Sequence, residues 1–279
     1  MSRTVLITGC STGIGRALAL ELHGRGLTVC ATARRPETLA ELHAAGLRTY
    51  ALDVCSPASI AALAEQLAAD GLVPDALVNN AGYGAMGPLL ELPSDELQRQ
   101  FDTNVFALMA VTRAFVPGMI ARRRGLVVNV GSVSGVLPTP FSGAYCATKA
   151  AVHALSDALR IELAPFGVDV LVVQPGGIES QFGATAGQGA SERRGDLALY
   201  APLAAAIDAR AAASQQNATP AAEFARQLAD AMQAGRPAPV VRIGHGSFIM
   251  PQLKRWLPTR VLDRVLARRF GLDRLASGD

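Results

Sequence analysis

Short apolar runs recur along the chain, each followed by a glycine-marked turn and then a longer stretch with apolar residues at helical spacing. The runs Thr4–Ile7, Thr28–Thr32, Thr49–Leu52, Ala76–Val78, Gly125–Val130, Asp169–Val173 and Pro239–Ile243 predict seven strands. Helical spacing is found at Arg16–Gly24, Pro36–Ala45, Pro57–Ala69, Asp95–Met119 and Tyr145–Phe166. The strands are apolar throughout rather than alternating, so both faces are expected to be buried, as in a parallel sheet between helical layers. Right-handed crossovers then give a doubly wound α/β fold with a ligand crevice at the carboxyl ends of the strands.

Two segments break this rhythm. Residues 181–217 carry scattered glycines, charges and an Ala-rich stretch directly after the sixth strand, where an insertion overhangs the crevice; a substrate lid is expected. From 247 to 279 a C-terminal extension follows the main domain of residues 1–246. In it Lys254, Arg255, Arg260, Arg264, Arg268, Arg269 and Arg274 interleave with Leu253, Trp256, Leu257, Val261, Leu262, Val265, Leu266 and Phe270. This basic amphipathic pattern, interrupted at Pro258, suits either packing on the protein's own domain or weak peripheral contact with a membrane.

Composition narrows the function classes. The chain has 279 residues, half of them hydrophobic, enough for a large core in one domain with an appendage. Aromatics make up 5% and the net charge is +3, which argues against a nucleic-acid partner. The four cysteines (Cys10, Cys30, Cys55, Cys146) form no CxxC, and the four histidines (His23, His43, His153, His245) do not cluster, so no metal site is expected. Widely spaced free thiols, with neither a leader nor an unbroken run of 18 apolar residues in this sequence, lead to an expected cytoplasmic location. Arginine outnumbers lysine 24 to 2, so either lysine, Lys149 or Lys254, is conspicuous.

Four clusters carry chemistry. Thr8-Gly9-Cys10-Ser11-Thr12-Gly13-Ile14-Gly15 joins the first strand to the first helix, where glycines let backbone N–H groups approach a pyrophosphate. The second strand ends Ala33-Arg34, without the carboxylate that accepts a ribose 2′-hydroxyl in NAD sites; a guanidinium suits a 2′-phosphate, so NADP(H) is the expected cofactor. Tyr145 and Lys149 lie one helical turn apart. An ammonium about 4 Å from the phenol is expected to lower its pKa by about three units, allowing proton exchange with a carbinol oxygen. Ser132, thirteen residues before Tyr145, ends the fifth strand and could polarise the same oxygen.

In this order the clusters resemble the classical short-chain dehydrogenase/reductase family, over residues 4 to about 180. The resemblance rests on Thr8 to Gly15, Asn79-Asn80-Ala81-Gly82, Phe101-Asp102-Thr103-Asn104-Val105, Ser132, Tyr145, Lys149 and Pro175-Gly176-Gly177-Ile178. It implies a Rossmann-type sheet and a catalytic tetrad of Asn104, Ser132, Tyr145 and Lys149, with Asn104 holding a water that connects Lys149 to solvent. The dinucleotide would be bound by Gly9, Ser11, Thr12, Gly13, Ile14, Gly15, Arg34, Asp53, Val54, Asn80, Ala81, Gly82, Tyr145, Lys149, Pro175, Gly176, Ile178 and Ser180. Ser180 stands where the family commonly has Thr. The implied activity is NADP(H)-dependent interconversion of a secondary alcohol and a ketone or aldehyde. Tails of this kind occur in steroid- and retinol-type relatives, so a hydrophobic lipid-, steroid- or retinoid-like substrate is expected. A homodimer or homotetramer through the helices of Asn104 and Tyr145 is also implied. A non-catalytic NADP-binding sensor or scaffold is the alternative.

Overall fold

The structure is a computed structural model that describes residues 3–275. Seven strands form one parallel sheet: β1 (Thr4–Ile7), β2 (Thr28–Ala33), β3 (Arg48–Ala51), β4 (Ala76–Asn79), β5 (Gly125–Val130), β6 (Val168–Pro175) and β7 (Val240–Ile243). Their spatial order is β3-β2-β1-β4-β5-β6-β7. The chain leaves β1 for one edge and returns to its other side with β4. This reversal splays the connections apart and opens a crevice beyond the carboxyl ends of both strands. Register is continuous across it, with Ile7 paired to Ala31 on one side and to Val78 on the other.

Alternate residues of each buried strand feed two cores. Val5, Ile7, Val29, Val128 and Leu171 face α1 (Gly13–Gly24) and α9 (Ala221–Gln233), where Leu18, Leu22, Phe224 and Leu228 are fully buried. Leu6, Leu77, Val127 and Val170 face α3 (Pro57–Ala69) and α5 (Ala107–Ala121) through Leu63, Val111, Phe115 and Met119. Each such contact is substantial: truncating a buried Phe such as Phe224 to Ala costs about 3–5 kcal/mol. Helix α3 shows how sequence sets an element's start, since Ser56 caps it by accepting the Ser59 N–H and Pro57 fills the first turn.

Several elements differ from the sequence pattern. Helix α1 starts at Gly13 rather than Arg16, because the glycines that read as loop form its first turn. Pro36–Leu39 is a 3-10 turn leading into a short α2 (Ala40–Ala44). The expected helix Asp95–Met119 is α4 (Ser94–Phe101) and α5, joined by a π-helical turn at Asp102–Phe106. The most apolar 18-residue stretch of this rod has a mean hydropathy of 1.5 and is long enough to cross a membrane, but half of that stretch is buried inside the fold. Helix α6 (Gly143–Leu163) stops before Pro165 in a 3-10 turn closed by Gly167 at φ +72°. Helix α9, the crossover from β6 to β7, was not among the predicted helices.

Residues 181–217 form α7 (Phe182–Glu192) and α8 (Ala204–Ala212), separated by 3-10 turns. The extension folds as α10 (Ile249–Trp256) and α11 (Thr259–Arg269), broken at Pro258 as the sequence indicated. A third cluster unites these parts: Phe141, Tyr145, Ala186, Leu203 and Ile207 are buried together, with Phe182, Phe270, Leu272 and Leu275 packed on them. The tail therefore helps to wall the crevice.

Candidate active site

The turn after β1 is held by Thr8. Its hydroxyl accepts the N–H groups of Asn80 and Ala81, each at 3.0 Å, and so ties the ends of β1 and β4 together at the crevice. Asn80 completes the brace, with Nδ2 donating to the carbonyls of Thr8 and Gly9, both at 2.9 Å. That side-chain nitrogen is therefore committed to shaping the turn. Gly13 has φ +58°, and a Cβ there would lie 2.9 Å from Cβ of Ser180. Gly15 is buried where a Cβ would come 2.4 Å from the Gly9 carbonyl oxygen, so only glycine lets α1 press this closely on the turn. Thr12 occupies the N-cap of α1, yet its side chain caps no helix N–H. The positive end of α1 thus faces the cleft with donors free for an anion.

A cleft of about 1140 Å³ runs from this turn to the lid. It is lined by Gly9, Ser11, Thr12, Gly13, Ile14, Arg34, Asp53, Val54, Asn80, Ala81, Gly82, Ser132, Tyr145, Lys149, Pro175, Gly176, Ile178 and Ser180. Of the residues singled out from sequence, Gly15 and Asn104 lie behind its wall. Arg34 is exposed at the rim, with no hydrogen bond or ion pair to any described residue. The glycine cradle, the open end of α1 and this unengaged guanidinium fit a dinucleotide bearing an additional phosphate.

The tetrad residues converge on the carboxyl end of β5. Lys149 Nζ donates to the Val130 carbonyl at 2.7 Å and lies 5.8 Å from the Tyr145 ring centroid. Ser132 accepts the Ser134 N–H at 3.1 Å, and its hydroxyl lies on the side of the Tyr145 oxygen, where it favours the phenolate. The π turn carries Asn104, whose Oδ1 accepts the Tyr83 N–H (3.1 Å) while Nδ2 donates to the Tyr83 carbonyl (2.9 Å) and to Thr148 Oγ1 (3.1 Å). These bonds pin the strand-to-helix loop onto α6. A Cβ on Gly82 would sit 2.9 Å from Asn104 Oδ1 and 3.9 Å from Lys149 Nζ, which locates the gap between the two polar groups.

The electrostatics reverse one expectation. Burial pushes the Tyr145 phenol up to about 12, and the hydrogen bond from Ser132 only partly opposes this. Burial also brings Lys149 down to about 8. Helical spacing gave proximity, but the ammonium is spent on the Val130 carbonyl and is itself disfavoured by desolvation. Lowering of the phenol by Lys149 is therefore not what this chain's own groups produce. Tyr145 is protonated at neutral pH, and Lys149 titrates close to it.

In the sequence His153 stands only as one of four histidines that do not cluster. Its Nε2 accepts the Ser132 N–H at 3.4 Å, and desolvation, reinforced by Lys149, takes it down to about 4. Neutral His153 thus supports the loop that carries Ser132. The lid supplies Phe182, 5.1 Å from the Tyr145 ring between centroids, and Arg210, neither of which was singled out from sequence. Phe141 takes φ +63° and meets Tyr200 and Phe270 edge to face at 6.2 and 6.3 Å. All four cysteines are free, with only Cys55 exposed, and among the described residues no cluster of potential metal ligands occurs.

A parallel doubly wound sheet with a glycine cradle, a buried Tyr–Lys pair and a serine at the next strand end defines a dinucleotide-dependent oxidoreductase fold. The short chain dehydrogenase family model matches residues 3–190, and the chain belongs to that family. An oxidoreductase of Escherichia coli strain K12, YbbO, is 32% identical over 95% of this chain and 94% of its own. The NADPH-dependent 1-acyldihydroxyacetone phosphate reductase of Schizosaccharomyces pombe is 41% identical over 64% of this chain and 60% of its own. Among solved structures, a short-chain dehydrogenase from Streptomyces avermitilis superposes with a TM-score of 0.78 at 30% identity, covering 99% of this chain and 98% of that one. A serine dehydrogenase complexed with NADP+ gives 0.75 at 29% identity, covering 86% and 94%. A Burkholderia phymatum relative in complex with NAD gives 0.76 at 26%, covering 91% and 92%.

Proposed function

We propose that the protein is an NADP(H)-dependent reductase of a ketone or aldehyde, and catalyses the reverse oxidation of a secondary alcohol, on a hydrophobic substrate. The observation that carries this reading is the protonated, buried Tyr145 with Ser132 beside it at the floor of a large, partly apolar cleft. The residues of the α1 turn, with Arg34, Asp53 and the Pro175–Ile178 segment, would hold the dinucleotide, which when bound supplies or accepts the hydride. Ser132 donates a hydrogen bond to the substrate oxygen and fixes its position. Tyr145 gives that oxygen its phenolic proton as negative charge develops on it. Lys149 lies beside Tyr145 and, titrating near 8, exchanges protons readily at neutral pH to restore the phenol. Asn104 holds the Tyr83 loop against α6 and keeps the pair in register.

Preference for NADP(H) is supported by Ala33 at the strand end where NAD sites place a carboxylate, by Arg34 directly after it, and by the NADP+-bound neighbour. A lipid-like substrate is supported by the apolar wall of Phe182, Leu266 and Phe270 and by the acyl-bearing substrate named for the fission-yeast relative. Peripheral attachment to anionic membrane is supported by α10 and α11: Phe248 is 66% and Trp256 71% exposed beside Lys254 and Arg255, next to cleft-lining Met250 and Leu253. Vesicle co-sedimentation lost on truncation after Gly246 is the expected result. Self-association through the helices of Asn104 and Tyr145 is supported by exposed Phe106 in the π turn and Ile161 on α6. A cytoplasmic setting is supported by the four free thiols.

The central test follows nicotinamide absorbance with a panel of ketones, aldehydes and alcohols. Tyr145→Phe is expected to abolish turnover while leaving dinucleotide affinity within about twofold. Undiminished turnover contradicts the assignment, and dinucleotide binding with no turnover of any compound by the wild type favours a sensor.

A further inference from the structure

Among the charged side chains that line the cleft outside the catalytic scheme, one is held across the contact between the lid and the loop before α6. Arg210, on lid helix α8, is half-buried and lines the cleft near Tyr145. Its Nε donates to Thr139 Oγ1 at 2.8 Å and its Nη2 to Ser142 Oγ at 3.0 Å, both on the loop that leads into α6. These partners are neutral hydroxyls. Among the described residues no carboxylate forms an ion pair with Arg210, and Nη1 has no protein partner. Neighbouring lid arginines behave differently: Arg193 reaches Glu96, and Arg194 pairs with Asp208.

An enclosed cation with no counter-charge is costly. Desolvation disfavours the charged guanidinium here. The guanidinium is nevertheless held in a fixed orientation by two hydroxyls on the facing wall, which leaves donors available on the cleft side. Preorganised donors around an uncompensated charge make an anion site. The cleft that Arg210 lines is also lined by apolar Phe182, Met250, Leu266 and Phe270. The nucleotide-phosphate elements, Gly13, Ser180 and Arg34, belong to other segments of the cleft and do not involve this loop–lid contact.

We infer that Arg210 is a specificity-determining residue that receives the carboxylate or phosphate-type group of an amphiphilic carbonyl substrate whose apolar portion lies along the lid and tail. This rests on the proposed reductase reading and narrows its substrate class from hydrophobic compounds to anionic amphiphiles. The bound anion neutralises the buried charge, so the lid closes on the charged compound in preference to its neutral analogue.

The test uses the full chain and a matched pair, an oxodecanoate and its methyl ester. Binding is read by calorimetry with oxidised NADP+, a combination that cannot transfer hydride, and kcat/KM is read separately with NADPH. Wild type should favour the acid, and Arg210→Met should weaken its binding by roughly tenfold to a hundredfold, the worth of a charge-assisted hydrogen bond. The ester should change by less than about threefold, and Arg210→Lys should retain part of the acid preference. A long-chain alkyl phosphate used as a competitor should show the same dependence if the site takes oxyanions generally; competition confined to carboxylates narrows the class to acids. Equal losses for acid and ester in a variant with unchanged melting temperature and dinucleotide affinity overturn the inference, as does a wild type that binds both alike. Arg210-dependent acid binding without any turnover would preserve the anion site and refute the reductase reading instead.

Discussion

Acidification should loosen the Ser132 loop through one residue, His153. The imidazole is neutral and accepts the Ser132 N–H, so protonation replaces an acceptor with a donor facing a donor. Glycines 131 and 135 press against the ring: a Cβ on either would lie 2.4 or 2.7 Å from it, leaving no room for the ring to rearrange. The charged groups around it are Lys149 one turn earlier and Arg242 on β7, which disfavour the imidazolium, and Asp157 one turn later, which favours it; burial is the largest influence and acts with the two cations. The folded value near 4 lies below the ordinary 6.5, so the unfolded chain binds the proton more tightly. Stability contributed by neutral His153 is therefore complete above pH 6.5 and is lost as pH falls toward 4. The loss is about 1.4 kcal/mol per pH unit across the middle of that window, and up to about 3 kcal/mol in all. Urea unfolding at half-unit steps from pH 7 to 4 should show this slope in the wild type. His153→Gln, which keeps an acceptor and does not titrate, should remove one proton's worth of it. Parallel wild-type and variant profiles would refute the reasoning.

Other expected outcomes follow from particular contacts. Arg34→Ala should weaken NADPH binding about tenfold and leave NADH unchanged, as measured by fluorescence titration; equal wild-type affinity for both dinucleotides removes the basis for NADP(H). Lys149→Met should stabilise the dinucleotide-free chain by about 1 kcal/mol at pH 7 while abolishing turnover. The buried charge costs about 3 kcal/mol, offset in part by its bond to the Val130 carbonyl. Because the folded value near 8 is below the ordinary 10.5, wild-type stability should rise from pH 8 to 10.5 and the variant's advantage should disappear; a variant less stable than wild type at pH 7 contradicts this. Gly15→Ala should cost about 1–3 kcal/mol in denaturant melts and impair dinucleotide binding, since the added methyl meets backbone.

The five inner strands were legible because buried strands carry uninterrupted apolar runs, whereas the edge strands β3 and β7 are partly exposed and not buried on both faces as expected; all seven lie within two residues of expectation. Departures have local causes. The π turn at Asn104 inserts one residue into an otherwise regular helix, and its apolar spacing barely registers the change. Helix α9 was overlooked although Phe224, Leu228 and Met232 repeat at helical spacing, a signal that was available. Thr8, read as part of a glycine motif, braces two strand ends; its partners are more than 70 residues away, and local pattern does not report such distances. The Tyr145–Lys149 pair was visible, whereas its electrostatics depended on burial that spacing alone does not encode. Arg210 was one of 24 arginines and became distinctive only when its surroundings lacked a carboxylate.

Phe141 has the farthest-reaching consequence. Its left-handed backbone is held by aromatic rings from the lid and from residue 270, so the shape offered to a guest is composed partly by the last helices of the chain. Relatives that align only through the first two thirds can thus share the same proton and hydride chemistry yet admit different molecules. Exchanging tails between such relatives becomes a way to redirect selectivity without altering a single reactive group.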